Sequence, residues 1–381
     1  MNVGMLFPSS NAHPALGLDF IAGLKTFFIK QAIDKEINLL TESIAFGGAE
    51  KEVYAKAEKL LIVDDVDILL AFIDERTLTI LKPLLYATGK LMIVINAGAN
   101  YPLNWVPQAN IVHLTLQHAF CNWLTGSLAA EKAGKNAATI STFYDCGYLH
   151  TASIVKAFEK NGGTVMFNFV NQDKYDESFA VAPLTDFLAA NETTQILCTL
   201  DSLPASLFYA VMNKAEVGKD LQLFVSPMML EQKALINIGD GFSFSIGGHT
   251  PWNISAENEG NKIFIETCRE NKKNATIFSL LGWETAMIVT HIFKQAPDDY
   301  SNGAALVDGL KTVQFDSPRG GLELDEETNF FLAPVYKCTI APHTSLIKTT
   351  VVDEYKSEWK NFVEEPTGGV ISGWTNTYLC Y

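Results

Sequence analysis

The sequence predicts an α/β protein of two similar units, each built around a parallel sheet. Three observations carry this. At 381 residues the chain is long enough for two domains of roughly 150 residues each. Through the first hundred residues, short apolar runs alternate with segments of helical periodicity. That is the pattern of βαβ units with helices on both faces of a sheet. After Cys121 the same alternation restarts.

The elements follow in order. Asn2–Phe7 reads as a strand stopping at Pro8-Ser9-Ser10. A helix follows, with Leu16, Phe20, Leu24, Phe27 and Phe28 on one face. Residues 37–43 read as the second strand, 50–63 as a helix, 67–73 as a buried strand, and 77–88 as a helix closed by Gly89. Residues 91–95 form the fourth strand, ending at Asn96-Ala97-Gly98. In the second unit, helices are expected over 122–133, 148–160, 179–190 and 203–216. Strands are expected over 137–142, 164–170, 195–200, 221–225 and 242–246, the last ending at Gly247-Gly248. Helices over 257–271, 278–293 and around 306–310 come next. Residues 321–325 and 330–340, around Glu326-Glu327-Thr328-Asn329, read as a β-hairpin. From Asp353 on the tail shows little periodicity.

The balance of 28 basic and 43 acidic side chains gives a net charge of −15. Phosphate backbones and anionic lipid repel such a chain, so nucleic acid is excluded as a first expectation for a partner. Apolar stretches are broken by charge (Asp64, Asp65 and Asp67 in one, Glu284 in another) well short of the roughly 20 residues of a membrane span. No signal peptide is visible, because Met1 leads directly into the first strand. The chain is therefore either cytoplasmic or lacks a targeting segment that preceded it. Cys121, Cys146, Cys198, Cys268, Cys338 and Cys380 show neither a C-x-x-C pair nor zinc-type spacing.

In open parallel sheets, ligands bind beyond the carboxyl ends of the strands, where strand order reverses. The residues just after each expected strand are therefore the candidates. In the first unit they are Ser9, Ser10, Asn11 and His13, then Asp74, Glu75 and Arg76, then Asn96, Ala97 and Gly98. In the second they are Tyr144 and Asp145, Asp201 and Ser202, and Pro227 and Met228. Hydroxyls, amides and aromatics of this kind suit a small polar or amphipathic molecule. Several of these residues have plain structural readings as well. Ser9, Ser10 and Asn11 suit a helix cap, and Glu75 and Arg76 suit an ion pair at a helix start. Met228, Phe278 and Trp283 suit core positions. No dinucleotide, P-loop or nucleophile-elbow motif is present, and His113 and His118 are wrongly spaced to share a helix face. Neither a cofactor nor a metal is expected, and the chain is not expected to be an enzyme.

Four segments, in order, resemble those of the type I periplasmic binding proteins, in particular the Leu/Ile/Val-binding branch with its amide receptors. VGMLFPSSNAHPALGLDFIAGLK is similar to that family's first strand, ligand loop and helix. VDILLAFIDERT followed by KLMIVINAGAN resembles its third and fourth strands. AATISTFYDCGYLHTASIVKAFEKNGGTV resembles the opening of its second lobe, and VQFDSPRGGLELDEETNFFLAPVYKCTI its late hairpin. The resemblance spans about residues 2–340. It implies two Rossmann-like lobes with parallel sheets, joined by a three-segment hinge near residues 115–120, 247–252 and 317–330. Lobe one is then 1–117 plus 250–318, lobe two 118–249 plus 319–365, and 366–381 a C-terminal tail.

The resemblance also implies function: a receptor that closes on a solute and delivers it to an ABC importer, in an extracytoplasmic location with the signal peptide absent from this chain. Family ligand positions fall on Ser9 to His13, Glu75, Asn96 and Gly98, Met228 and Phe278, with Trp283 nearby, and Tyr144 is added from its place after a second-unit strand. Amino-acid binders use a serine where Glu75 stands, a threonine where Gly98 stands and an acid where Met228 stands. The expected ligand is therefore a small amphipathic or aromatic molecule rather than an aliphatic amino acid. Two alternatives remain at this point. One is a cytosolic or receptor-borne sensor of the same fold. The other is a small-molecule enzyme using Glu75 or Asp201 as base.

Overall fold

The computed structural model describes Tyr378 and residues 1–365 other than 100, 102–104, 133–134, 143–147, 172–178, 192, 216, 218–219, 240 and 297–298. The chain forms two compact units. Unit 1 contains Met1–Leu116, Trp252–Pro334 and Tyr378–Tyr381, and unit 2 contains Gln117–Pro251 and Val335–Thr377.

Unit 1 opens with β1 (Asn2–Phe7), α1 (Leu16–Lys30), β2 (Asn38–Ser43), α2 (Glu50–Glu58), β3 (Ile68–Ala71), α3 (Glu75–Thr88), β4 (Leu91–Asn96) and β5 (Ile111–Thr115). The chain then builds most of unit 2. This part comprises α4 (His118–Lys132), β6 (Asn136–Thr142), α5 (Tyr148–Lys160), β7 (Thr164–Asn171), α6 (Ala182–Ala190), β8 (Gln195–Thr199), α7 (Ser202–Met212), β9 (Gln222–Val225) and β10 (Ser245–Thr250). It returns to unit 1 for α8 (Glu259–Glu270), α9 (Ile277–Gln295), α10 (Gly303–Leu310), β11 (Gln314–Ser317), β12 (Gly320–Leu324) and β13 (Phe330–Leu332). Unit 2 is completed by β14 (Tyr336–Ile340), β15 (Ile347–Val351) and α11 (Tyr355–Val363).

The sheet of unit 1 runs β11-β12-β13-β5-β4-β3-β1-β2, and that of unit 2 runs β15-β14-β10-β9-β8-β6-β7. Both are mostly parallel, with antiparallel pairing confined to one edge: β11 with β12 and β12 with β13 in unit 1, and β10 with β14 and β14 with β15 in unit 2. β3 and β5 are buried along their whole length. Helices cover both faces, which is why these strands read as unbroken apolar runs rather than alternating ones. Strand order reverses between β1 and β3 in unit 1 and between β6 and β8 in unit 2.

Several expectations need correction. β5 and β11 were not evident in the sequence, nor were β15 and α11 in the tail. The expected hairpin over 321–340 is divided. β12 pairs with β13 in the first sheet, while β14 joins the second. Pro334, which has no N–H to offer a ladder, stands where the chain leaves unit 1. Residues 319–334 thus lie in unit 1, not with 335–365 as the sequence suggested. The helix expected over 50–63 ends at Glu58 and continues as one π turn over Lys59–Val63. Gly247-Gly248 lie inside β10 rather than beyond a strand. A Cβ on Gly248 would sit 2.6 Å from the Val225 carbonyl oxygen of the neighbouring strand, so glycine permits this approach.

Two further features organise unit 1. α1 and α9 pack backbone to backbone: a Cβ on Gly23 would lie 1.9 Å from the Ser279 carbonyl oxygen, and one on Gly282 2.0 Å from that of Phe20. Arg319, in the turn between β11 and β12, and Glu284 of α9 form a wholly buried ion pair.

Candidate functional site

In unit 1 the reversal of strand order puts the loops after β1 and β3 together at the carboxyl ends of the strands. The loop after β1 is held by its own backbone. The exposed Ser9 donates its N–H to the Ala45 carbonyl at 2.8 Å. Buried Ser10 accepts the His13 N–H on its hydroxyl at 3.0 Å. Neither serine caps α1, whose N-cap position is Ala15 without a side-chain bond. The Ser10 bond instead closes a turn that presents His13, and the His13 ring is buried.

His13 meets the ring of Phe278 edge-on, with centroids 5.7 Å apart. Phe278 lies in the first turn of α9, and three bonds set that turn. Thr276 and Ser279 form a reciprocal capping box, with Ser279 N–H donating to Thr276 Oγ1 at 3.2 Å and Thr276 N–H to Ser279 Oγ at 2.7 Å. The Thr276 hydroxyl also donates to Asp19 of α1 at 3.0 Å. With the glycine contact at Gly23, these bonds fix the start of α9 beside the loop that carries His13. Trp283, five residues on, does not join them. It packs between Phe27 and Phe264, at 4.9 and 5.3 Å, in the helical layer of unit 1. The sequence offers it both as a neighbour of the ligand wall and as core, and helical rotation from Phe278 turns it toward Phe27 and Phe264.

After β3, Asp74 caps α3 by accepting the Thr77 N–H at 2.8 Å. Glu75 opens the helix and is mostly buried. Its partner is Lys82, at 3.2 Å. Burial raises the pKa of the Glu75 carboxyl and Lys82 opposes the rise. The expected pairing of Glu75 with Arg76 is not made. Consecutive helical residues point about 100° apart, whereas i and i+7 share a face. Arg76 turns outward and pairs with Glu50 at 2.6 Å. At the end of β4, the Asn96 side-chain amide donates to the Ile73 carbonyl at 2.8 Å and its oxygen accepts the Gly98 N–H at 2.8 Å. Asn96 thus ties the loop after β3 to the loop after β4. Ala97 is buried, and Gly98 takes the left-handed φ of 66° that this turn requires.

Unit 2 offers fewer described candidates. Tyr144, with Asp145 and Cys146, lies outside the described residues. Asp201 is buried at the carboxyl end of β8, immediately before α7. Met228 is fully buried in the 3-10 turn Pro227–Leu230. Among the described residues, no group of three or more His, Cys, Asp or Glu could hold a metal, and no helix is long and apolar enough to cross a membrane.

One residue at this site carries no signal in the sequence. Tyr378, near the end of the chain, is buried against His13 and Phe278. No local pattern could have found it, since the contact joins opposite ends of the polypeptide.

Residues 2–341 match the periplasmic binding protein family. A Leu/Ile/Val-binding protein homolog 6 of Brucella suis biovar 1 is 20% identical over 354 residues, covering 90% of this chain and 87% of that protein. Among solved structures, an ABC transporter solute-binding protein from Rhodopseudomonas palustris HaA2 in complex with p-hydroxybenzoic acid superposes with a TM-score of 0.74 at 16% identity, over 94% of this chain and 98% of the other. The branched-chain amino acid transporter substrate-binding protein LivJ from Streptococcus pneumoniae, in complex with isoleucine, gives a TM-score of 0.68 at 13% identity, over 92% of this chain and 99% of the other. At these identities the structural likeness establishes the fold.

Proposed function

This chain belongs to the periplasmic binding protein family, and from that premise we propose that it is a receptor for a small aromatic or amphipathic solute, which it delivers to an ABC importer. The family is one of binding proteins rather than enzymes. The observation that carries the choice of solute is the edge-on pair His13–Phe278, with His13 held in its turn by the Ser10 hydroxyl. Aromatic faces and edges of this kind receive another ring in offset or T-shaped geometry. Met228 supports the same choice. It stands at the position where the resemblance places the acid that neutralises an amino acid's ammonium, and a buried thioether carries no charge to pair with that ammonium. The p-hydroxybenzoic acid bound by a protein of the same fold is a solute of the proposed class.

In this reading the solute contacts both units only when the hinge is closed, so binding shifts the population toward the closed form. The proposed location is extracytoplasmic, where an ABC permease takes the solute. Titration calorimetry with 4-hydroxybenzoate, benzoate, leucine and isoleucine tests the reading. Binding of an aromatic acid with little or none of the amino acids is expected. Tight binding of leucine or isoleucine, with none of the aromatic acids, overturns it.

A further inference from the structure

Tyr378 lies beyond the residues that match the family, yet it belongs to unit 1 and is 1% exposed. Its ring stands at 89° to that of His13, with centroids 5.0 Å apart, and at 87° to that of Phe278, with centroids 5.1 Å apart. His13 and Phe278 themselves meet at 5.7 Å and 73°. Every pair in this triangle is edge-on, the arrangement that aromatic quadrupoles favour. The backbone of Tyr378 has a φ of 71°, a region that a bulky L-residue rarely adopts. Such a conformation persists only where surrounding contacts hold it. The rings of His13 and Phe278 are among those contacts.

A tyrosine side chain is chemically a para-substituted phenol. We propose that the edge formed by His13 and Phe278 is the seat of the solute's aromatic ring, and that Tyr378 occupies this seat when no solute is bound. Tyr378 is thus a tethered competitor: a free ring must displace it. The proposal rests on the functional reading above and adds to it the shape of the guest, one six-membered aromatic ring with a substituent opposite the point where Tyr378 is attached to its backbone. A site filled by its own chain for most of the time binds a free ligand less tightly, in proportion to the fraction of time it is empty. Because the ring is tethered, its effective concentration at the seat is high.

The test titrates 4-hydroxybenzoate and leucine against the intact chain, Tyr378→Ala and Tyr378→Phe. Tyr378→Ala is expected to bind 4-hydroxybenzoate about tenfold more tightly, about 1.4 kcal/mol. Tyr378→Phe, which keeps the ring, should stay near the unsubstituted chain. Equal affinity for 4-hydroxybenzoate in all three chains overturns the competitor while leaving the aromatic reading intact. Weaker binding by Tyr378→Ala also overturns it, because Tyr378 is then part of the site wall. Leucine bound and 4-hydroxybenzoate ignored by all three chains overturns both the seat and the aromatic reading.

Discussion

Replacing Arg319 by methionine removes the cation from a pair that water does not reach. Both side chains are 0% exposed. Arg319 Nε donates to Glu284 Oε1 at 2.9 Å and Nη2 to Oε2 at 2.7 Å, a bidentate fork. Nη1 donates to the Thr115 carbonyl at 3.0 Å, and the Ser317 hydroxyl donates to the same carboxylate. The substitution leaves a carboxylate buried with one hydroxyl donor and the Thr115 carbonyl without this bond. Breaking a buried pair on one side costs about 3–5 kcal/mol, and an unmade bond at a buried carbonyl about 1–3 kcal/mol. The two overlap, so the expected loss is about 4 kcal/mol. Glu284→Leu alone should lose a comparable amount, because it strands the guanidinium. The double variant, apolar on both sides, should recover most of the loss, since a well-packed apolar replacement of a buried pair is often neutral. The assay is urea unfolding, with hydrogen exchange assigning the transition to unit 1. Single losses under about 1 kcal/mol, or losses that simply add in the double variant, refute the reasoning.

Two further outcomes follow from the packing. Burial lowers the pKa of His113 in unit 1 and His249 in unit 2 from 6.5 to about 3 each. Both are neutral in the fold, while the unfolded chain takes up protons below about pH 6.5. Their contribution to stability is therefore complete above pH 6.5. It is lost as pH falls toward 3, at about 1.4 kcal/mol per pH unit for each histidine. His113→Phe should make the acid limb of unit 1 shallower without changing that of unit 2, and a slope unchanged in unit 1 contradicts this. Gly23→Ala puts a Cβ 1.9 Å from the Ser279 carbonyl oxygen. A stability loss of about 1–3 kcal/mol is expected, together with displacement of the first turn of α9 and so of Phe278. Thermal unfolding that matches the unsubstituted chain refutes the close approach.

Much of the fold was legible because it follows from local period. The apolar runs of β1, β3 and β4 and the helical faces of α1, α3 and α9 each depend on neighbours a few residues away. β5 was hidden because His113 and Thr115 interrupt its apolar run, although both are buried in the sheet. His113 is neutral there and stacks on Phe330 at 4.1 Å. β12, β13 and β14 read as one hairpin because the pattern shows strands but not which sheet receives them. The candidate site was legible only as a set of loops. The rule that ligands lie beyond strand ends singles out Ser10, His13, Glu75 and Asn96 without showing what each touches.

The sequence by itself therefore determined the α/β class, the two-unit organisation and the strand-end loops that make up the candidate site. These depend on periodicity and on the order of elements. The tertiary structure alone decided the partners. It gave Glu75 to Lys82 and Arg76 to Glu50, turned Trp283 into the core, and brought Tyr378 onto His13 and Phe278. The physical reason is range: a side chain's environment is set by whichever segments the packing brings to it, and those segments are distant in the chain.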